Sequence, residues 1–263
     1  MSFLPRTLYL DQNEMVNFIL TIPKNGWLWS PKGITWHNTA APSIAQWNAY
    51  SEPQRQAWGD NYDHYVKFDL HWHSGPHFCA TPDKSFVLCE PRANGVHASC
   101  FNSDHYGVET VGDFRPGGDD PHVGRGLLSM LASANIIAAL CKRMNWSPQK
   151  VINFHRDCIR DHHPCPGALV TNEWAIGLVE NRLAALNSSS IPPTDPFNLA
   201  TVEGLQRALN ALGANPQLAI DGDNGPLTAN AVKTYQRSHD LVPDGIAGSA
   251  TIVVIEREIG RLS

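Results

Sequence analysis

The sequence predicts an α/β fold, a sheet covered by helices, followed by a second, much smaller all-α unit. Three observations carry this. Short β-like runs alternate with long helical ones before residue 187, a Ser/Pro-rich stretch occupies 187–198, and a duplicated turn-and-helix motif follows it. The chain therefore divides into residues 1–186, a linker 187–198 and a small domain 199–263. With 263 residues there is enough chain for a real core in each part.

The β-like runs are Gly33 to His37, Phe86 to Cys89 and Gly107 to Val111. Helical patterns cover Leu127 to Met144 and Asn172 to Leu186. The most apolar stretch, Leu127 to Leu140, is broken by Ser129, Ser133 and Asn135 and is too short for a bilayer, so it reads as a buried helix. Asn187-Ser188-Ser189-Ser190-Ile191-Pro192-Pro193 has the composition of a semi-extended tether. Beyond it, Val202, Leu205, Leu209 and Leu212 form one stripe of an amphipathic helix. The pattern D-G-x-x-G-x-x-T then occurs twice, from Asp221 to Thr228 and from Asp244 to Thr251, each copy leading into a helix-like run. A Gly-bearing turn followed by a Thr able to cap a helix explains it. The first copy also resembles the opening of a calcium loop, but Val232 stands where the bidentate Glu is required.

A net charge of -5 provides no general attraction to nucleic acid or to anionic membrane. A polymeric substrate must then be found by shape. Met1-Ser2-Phe3-Leu4-Pro5-Arg6 has neither the basic start nor the apolar run of a secretory signal. The six cysteines, at 79, 89, 100, 141, 158 and 165, show no dense disulfide framework, which suits a reducing site of synthesis.

Candidate chemistry concentrates between His155 and Gly167. His155 and Cys165 lie ten residues apart, and His37 ends the run Ile34-Thr35-Trp36. Two imidazoles and a thiolate would leave tetrahedral zinc an open corner for water, as in a hydrolase. With 12 His and 6 Cys in the chain, that spacing alone is weak. Pro164 and Pro166 restrict the backbone around Cys165, and Gly167 permits a sharp exit. A rival cluster is Asp69, His71 and His73, which strand alternation would put on one face. Trp36, Trp47, Trp72 and Tyr106 read as core or cleft wall.

Four motifs, in order, resemble the type 2 N-acetylmuramoyl-L-alanine amidases, whose fold is shared with peptidoglycan recognition proteins. They are Ile34-Thr35-Trp36-His37-Asn38-Thr39-Ala40, Val96-His97-Ala98, Tyr106-Gly107-Val108-Glu109-Thr110-Val111-Gly112 and the His155 to Gly167 segment. The resemblance implies a central mixed sheet flanked by helices, Zn2+ held by His37, His155 and Cys165, and Glu109 as the acidic catalytic residue. In many type 2 amidases a Lys two residues before the last ligand helps stabilise the oxyanion; here that position is His163, a second catalytic candidate. Asn38 and His97, inside the first two motifs, are expected to face substrate.

Residues from about 199 to 259 resemble the three-helix type 1 peptidoglycan-binding domain, through Leu205-Gln206, the duplicated motif and Ala231-Val232-Lys233-Thr234-Tyr235-Gln236. The combined expectation is a monomeric lytic amidase acting on peptidoglycan, with no nucleic-acid partner and no membrane insertion. The signal-less start suggests a phage endolysin held in the host cytoplasm until lysis. A non-catalytic peptidoglycan receptor, or a zinc peptidase cutting within the stem peptide, are the alternatives.

Overall fold

The structure is a computed structural model that describes residues 7–122, 124–187, 199 and 201–262. The stretch read as a linker lies, apart from Asn187, outside the described residues. Six strands form one sheet: β1 (Leu8–Leu10), β2 (Gly33–Trp36), β3 (Phe78–Ala80), β4 (Ser85–Val87), β5 (His105–Thr110) and β6 (Ile152–Phe154). Their order is β1-β4-β3-β5-β2-β6. β3, β5, β2 and β6 pair in parallel while β4 pairs antiparallel with both β3 and β1, so the sheet is mixed, as expected.

Around the sheet lie α1 (Gln12–Leu20), α2 (Ile44–Ala49), α3 (Glu52–His64), α4 (Gly124–Met144), α5 (Pro148–Val151) and α6 (Asn172–Asn187). The side chains of Ile34, Trp36, Tyr106, Val108 and Phe154 join residues of α1, α4 and α6 in the main core. α4 is long and apolar enough to cross a membrane, yet 14 of its 21 residues are buried, so it is a core helix. The serines that interrupt its apolar run are handles onto the sheet. Ser129 donates to the Val111 carbonyl at 2.7 Å and Ser133 shares a 2.6 Å hydrogen bond with Thr110.

Strand alternation turns Thr35, His37, Gly107 and Glu109 to the opposite face. At the β3–β4 side that face is covered by a smaller cluster of Ile44, Trp47, Cys79, Phe86, Leu88 and Val111. The rival cluster at Asp69, His71 and His73 is corrected here. The chain leaves α3 into a π-helical turn, Tyr65–Asp69, and His71 adopts φ +56°, so there is no strand to align the three side chains.

The second unit packs α7 (Val202–Ala211), α8 (Pro226–Ser238) and α9 (Ser249–Leu262) around Leu205, Ala208, Leu209, Val232, Tyr235, Ile252 and Ile255. The repeat has a physical centre that spacing did not reveal, a buried glutamine for each copy. Gln206 Nε2 donates to Asp221 Oδ1, the Asp223 carbonyl and Thr228 Oγ1, while its Oε1 accepts from the N–H groups of Asp221 and Gly222. Gln236 likewise donates to Asp244 Oδ1, the Ile246 carbonyl and Thr251 Oγ1, and accepts from Gly245 N–H. Gly222 and Gly245 sit at φ +72° and +81°, where a side chain is strained. Asp221, the residue that resembled the first calcium ligand, is thus engaged by an amide.

Candidate metal centre

β5, β2 and β6 are parallel neighbours, so their carboxyl ends open on one edge, the usual place for a site in such a sheet. His37 follows β2, Glu109 is the penultimate residue of β5 and His155 follows β6. His37 still belongs to the ladder: its N–H donates to the Val108 carbonyl at 2.8 Å and its carbonyl accepts from Thr110 N–H at 3.1 Å. That pairing fixes the ring against the sheet.

Cys165 arrives on the loop after β6. Its carbonyl accepts from Arg156 N–H at 2.9 Å, and its Sγ accepts from Asn38 N–H at 3.0 Å. Gly167 makes the exit at φ +104°, and a Cβ there would lie 2.4 Å from the Phe114 carbonyl oxygen. Arg156 secures the loop through the carbonyls of Gly167 and Val170 and the side chain of Asn172.

The ligand atoms of His37, His155 and Cys165 all lie within 4.8 Å of one another. Tetrahedral zinc with bonds of about 2.0–2.3 Å has edges of roughly 3.5 Å, so side-chain shifts of about 1 Å close the set. Glu109 Oε1 lies 4.0 Å from His37 Nδ1, and its Oε2 is buried without a hydrogen-bond partner. His163 is exposed and stacks on His155, centroids 4.7 Å apart. Its Nδ1 accepts from Cys165 N–H at 3.3 Å, so a neutral ring carries its proton on Nε2.

The electrostatics call for a cation. Burial, then His97, His155 and His163, hold His37 well below the usual histidine range, so it is a neutral ligand. Burial, then Glu109, pushes the Cys165 thiol well above its ordinary value. Burial alone lifts Glu109 to about 8. Burial keeps both thiol and carboxyl from ionising, and Glu109 Oε2 has no hydrogen-bond partner; a divalent ion held here would favour the ionised forms. The residues fit zinc: two imidazoles, one thiolate and no fourth protein ligand among the described residues.

A family model described as N-acetylmuramoyl-L-alanine amidase matches residues 29–168. The chain belongs to that amidase family. A peptidoglycan binding domain model matches residues 198–255. A zinc D-Ala-D-Ala carboxypeptidase of Streptomyces albus G is 54% identical over 39 residues, and the match spans 15% of each chain. Similar solved structures include Drosophila peptidoglycan recognition protein LB, at 19% identity and TM-score 0.40, covering 64% of this chain and 85% of that one. Another is the Clostridium intestinale endolysin amidase LysCS, at 20% identity and TM-score 0.42, covering 60% of this chain and 93% of that one.

Within the amidase-family segment, His97 and Asn38 have neighbours that the motifs did not show. His97, expected to face substrate, is buried, with Nδ1 3.1 Å from His37 Nε2 and Nε2 2.9 Å from the His105 carbonyl oxygen. Asn38 engages the site through its backbone: its N–H holds the Cys165 sulfur, and its side-chain amide donates to the Gly112 carbonyl at 2.8 Å. Sequence reasoning also missed Asp161, whose Oδ2 lies 3.0 Å from His155 Nε2. Its place six residues after His155 was the available signal.

The cysteine reading needs correction too, because Cys100 and Cys158 form a disulfide. They are 58 residues apart, and the fold brings their loops together. The bridge ties the His97 loop to the His155 loop. Beside it, Ser99 donates to Asp161 through its backbone N–H at 2.8 Å and through its hydroxyl.

Proposed function

We propose that this protein is a zinc-dependent N-acetylmuramoyl-L-alanine amidase that cleaves peptidoglycan between the lactyl carbonyl of N-acetylmuramic acid and L-alanine. The observation that carries the reading is the convergence of His37, His155 and Cys165 beside a buried carboxyl with an unpartnered oxygen. His37, His155 and Cys165 would hold the ion. When bound, zinc supplies Lewis acidity, activating a water and polarising the scissile carbonyl.

Glu109 takes the proton released as the water oxygen bonds to the carbonyl carbon. As the carbon–nitrogen bond breaks, it returns that proton to the departing amine of L-alanine. An acid held near 8 in the metal-free fold and made more acidic by a nearby cation is suited to both roles. His163, exposed at the open side with Nε2–H free, donates to the developing oxyanion in place of the Lys common in the family. The second unit tethers the catalytic part to an insoluble polymer and raises its local concentration there.

Mass spectrometry of purified peptidoglycan digests, with and without chelator, tests the reading. The expected products are intact stem peptides with a free L-alanine amine, and chelation abolishes them. Cuts inside the stem peptide, or zinc binding with no released peptide, would overturn it in favour of a peptidase or a receptor.

A further inference from the structure

The hydrogen-bond network around His37 follows from a fixed starting point. The His105 carbonyl can only accept, so the His97 Nε2 that faces it at 2.9 Å must carry a proton. In a neutral ring this leaves Nδ1 of His97 as a bare acceptor, 3.1 Å from Nε2 of His37. The proton in that contact therefore sits on His37 Nε2, and the lone pair of His37 is left on Nδ1. That is the nitrogen on the Glu109 side, 4.0 Å from the carboxyl oxygen.

The opposite assignment fails at the other end of the ring: in a neutral imidazole, a proton on His97 Nδ1 would set the Nε2 lone pair against the His105 carbonyl. That clash leaves a buried polar atom unmatched, at a cost of about 1–3 kcal/mol. We propose that His97 is a positioning residue, relaying a hydrogen bond from the His105 carbonyl to His37 and thereby obliging His37 to present Nδ1 to the metal.

Features of the surrounding chain serve this one ring. Asn102 Oδ1 accepts from the N–H groups of His97 and Ala98 at 2.7 and 2.8 Å, closing the turn that carries it. Gly107, beneath the ring on β5, leaves room that any side chain would remove: a Cβ there would lie 2.7 Å from the ring carbons of His97. The two histidine ligands are thus oriented by different chemistry. His155 donates its Nε2–H to the Asp161 carboxylate, whereas His37 donates to a neutral imidazole. The anionic partner strengthens the donor character of its own ligand, and the neutral relay sets tautomer and angle without adding charge to the buried side of the site.

The inference rests on the metal reading for its functional consequence but not for its structural content, and the experiment separates the two. Nitrogen-15 NMR of the metal-free full chain should show the His37 ring protonated at Nε2 and bare at Nδ1. His97→Phe fills the space without a relay; it should lose that tautomer preference and weaken zinc binding about 10- to 100-fold, by competition with a chelating indicator. His97→Gln, which keeps one donor and one acceptor, should recover most of the affinity. The cobalt-substituted spectrum should shift in the Phe variant and return in the Gln variant. An Nδ1–H tautomer in the wild-type protein overturns the proposal, as does a Phe variant with unchanged tautomer and affinity. If the wild-type protein binds no zinc at all, the proposed function fails, and the NMR result still decides the relay.

Discussion

Glu109→Gln tests the electrostatics of the site without disturbing the three candidate ligands. In the metal-free fold the carboxyl is held up to about 8 by burial. An unfolded glutamate titrates near 4.5, so the folded state prefers the protonated form. Its stabilising share is complete below about pH 4.5, is lost as pH rises, and is gone above about pH 8. Ionising the buried group in the metal-free fold costs on the order of 5 kcal/mol. The glutamine variant stays neutral throughout. Denaturant unfolding of both proteins in chelator at pH 5 and pH 9 should show the wild type losing several kcal/mol relative to the variant across that interval. With zinc restored, the cation favours the carboxylate and most of the difference should vanish. The variant should keep its zinc and lose about 10²- to 10⁴-fold in turnover, the usual share of a general acid–base group. Parallel pH–stability curves for the two metal-free proteins would refute the desolvation argument. Retained turnover would remove Glu109 from the chemistry.

Other consequences are open to direct measurement. Reducing the Cys100–Cys158 bridge releases a loop of 58 residues and should lower stability by up to about 4 kcal/mol. Urea unfolding with and without reductant reads this, and superimposable curves would contradict it. Gln206→Leu should destabilise the second unit by about 3 kcal/mol, because the N–H groups of Asp221 and Gly222 lose their acceptor; a change no greater than that of an ordinary surface substitution would show that the glutamine does not organise the turn. Removing the residues after Asn187 should weaken sedimentation with cell walls while sparing hydrolysis of soluble muropeptides, and unchanged sedimentation would end the targeting role.

Much of the fold was legible in the sequence because periodicity and composition are local. The sheet-and-helix alternation, the buried helix now seen as α4 and the stripe Val202, Leu205 and Leu209 all follow from where apolar residues recur. Four ordered motifs were enough to nominate His37, Glu109, His155 and Cys165 and to imply their family. The short strands β1, β3 and β6, three residues each, carry too little pattern to be read alone. What only the tertiary structure decided is which group answers which. Cys100 meets Cys158 across 58 residues, and His97 reaches His37 across 60. Gln206 gathers a turn that begins 15 residues later. A hydrogen bond or a disulfide is specified by angle and distance in three dimensions, and neither quantity is written in the spacing of residues along a chain.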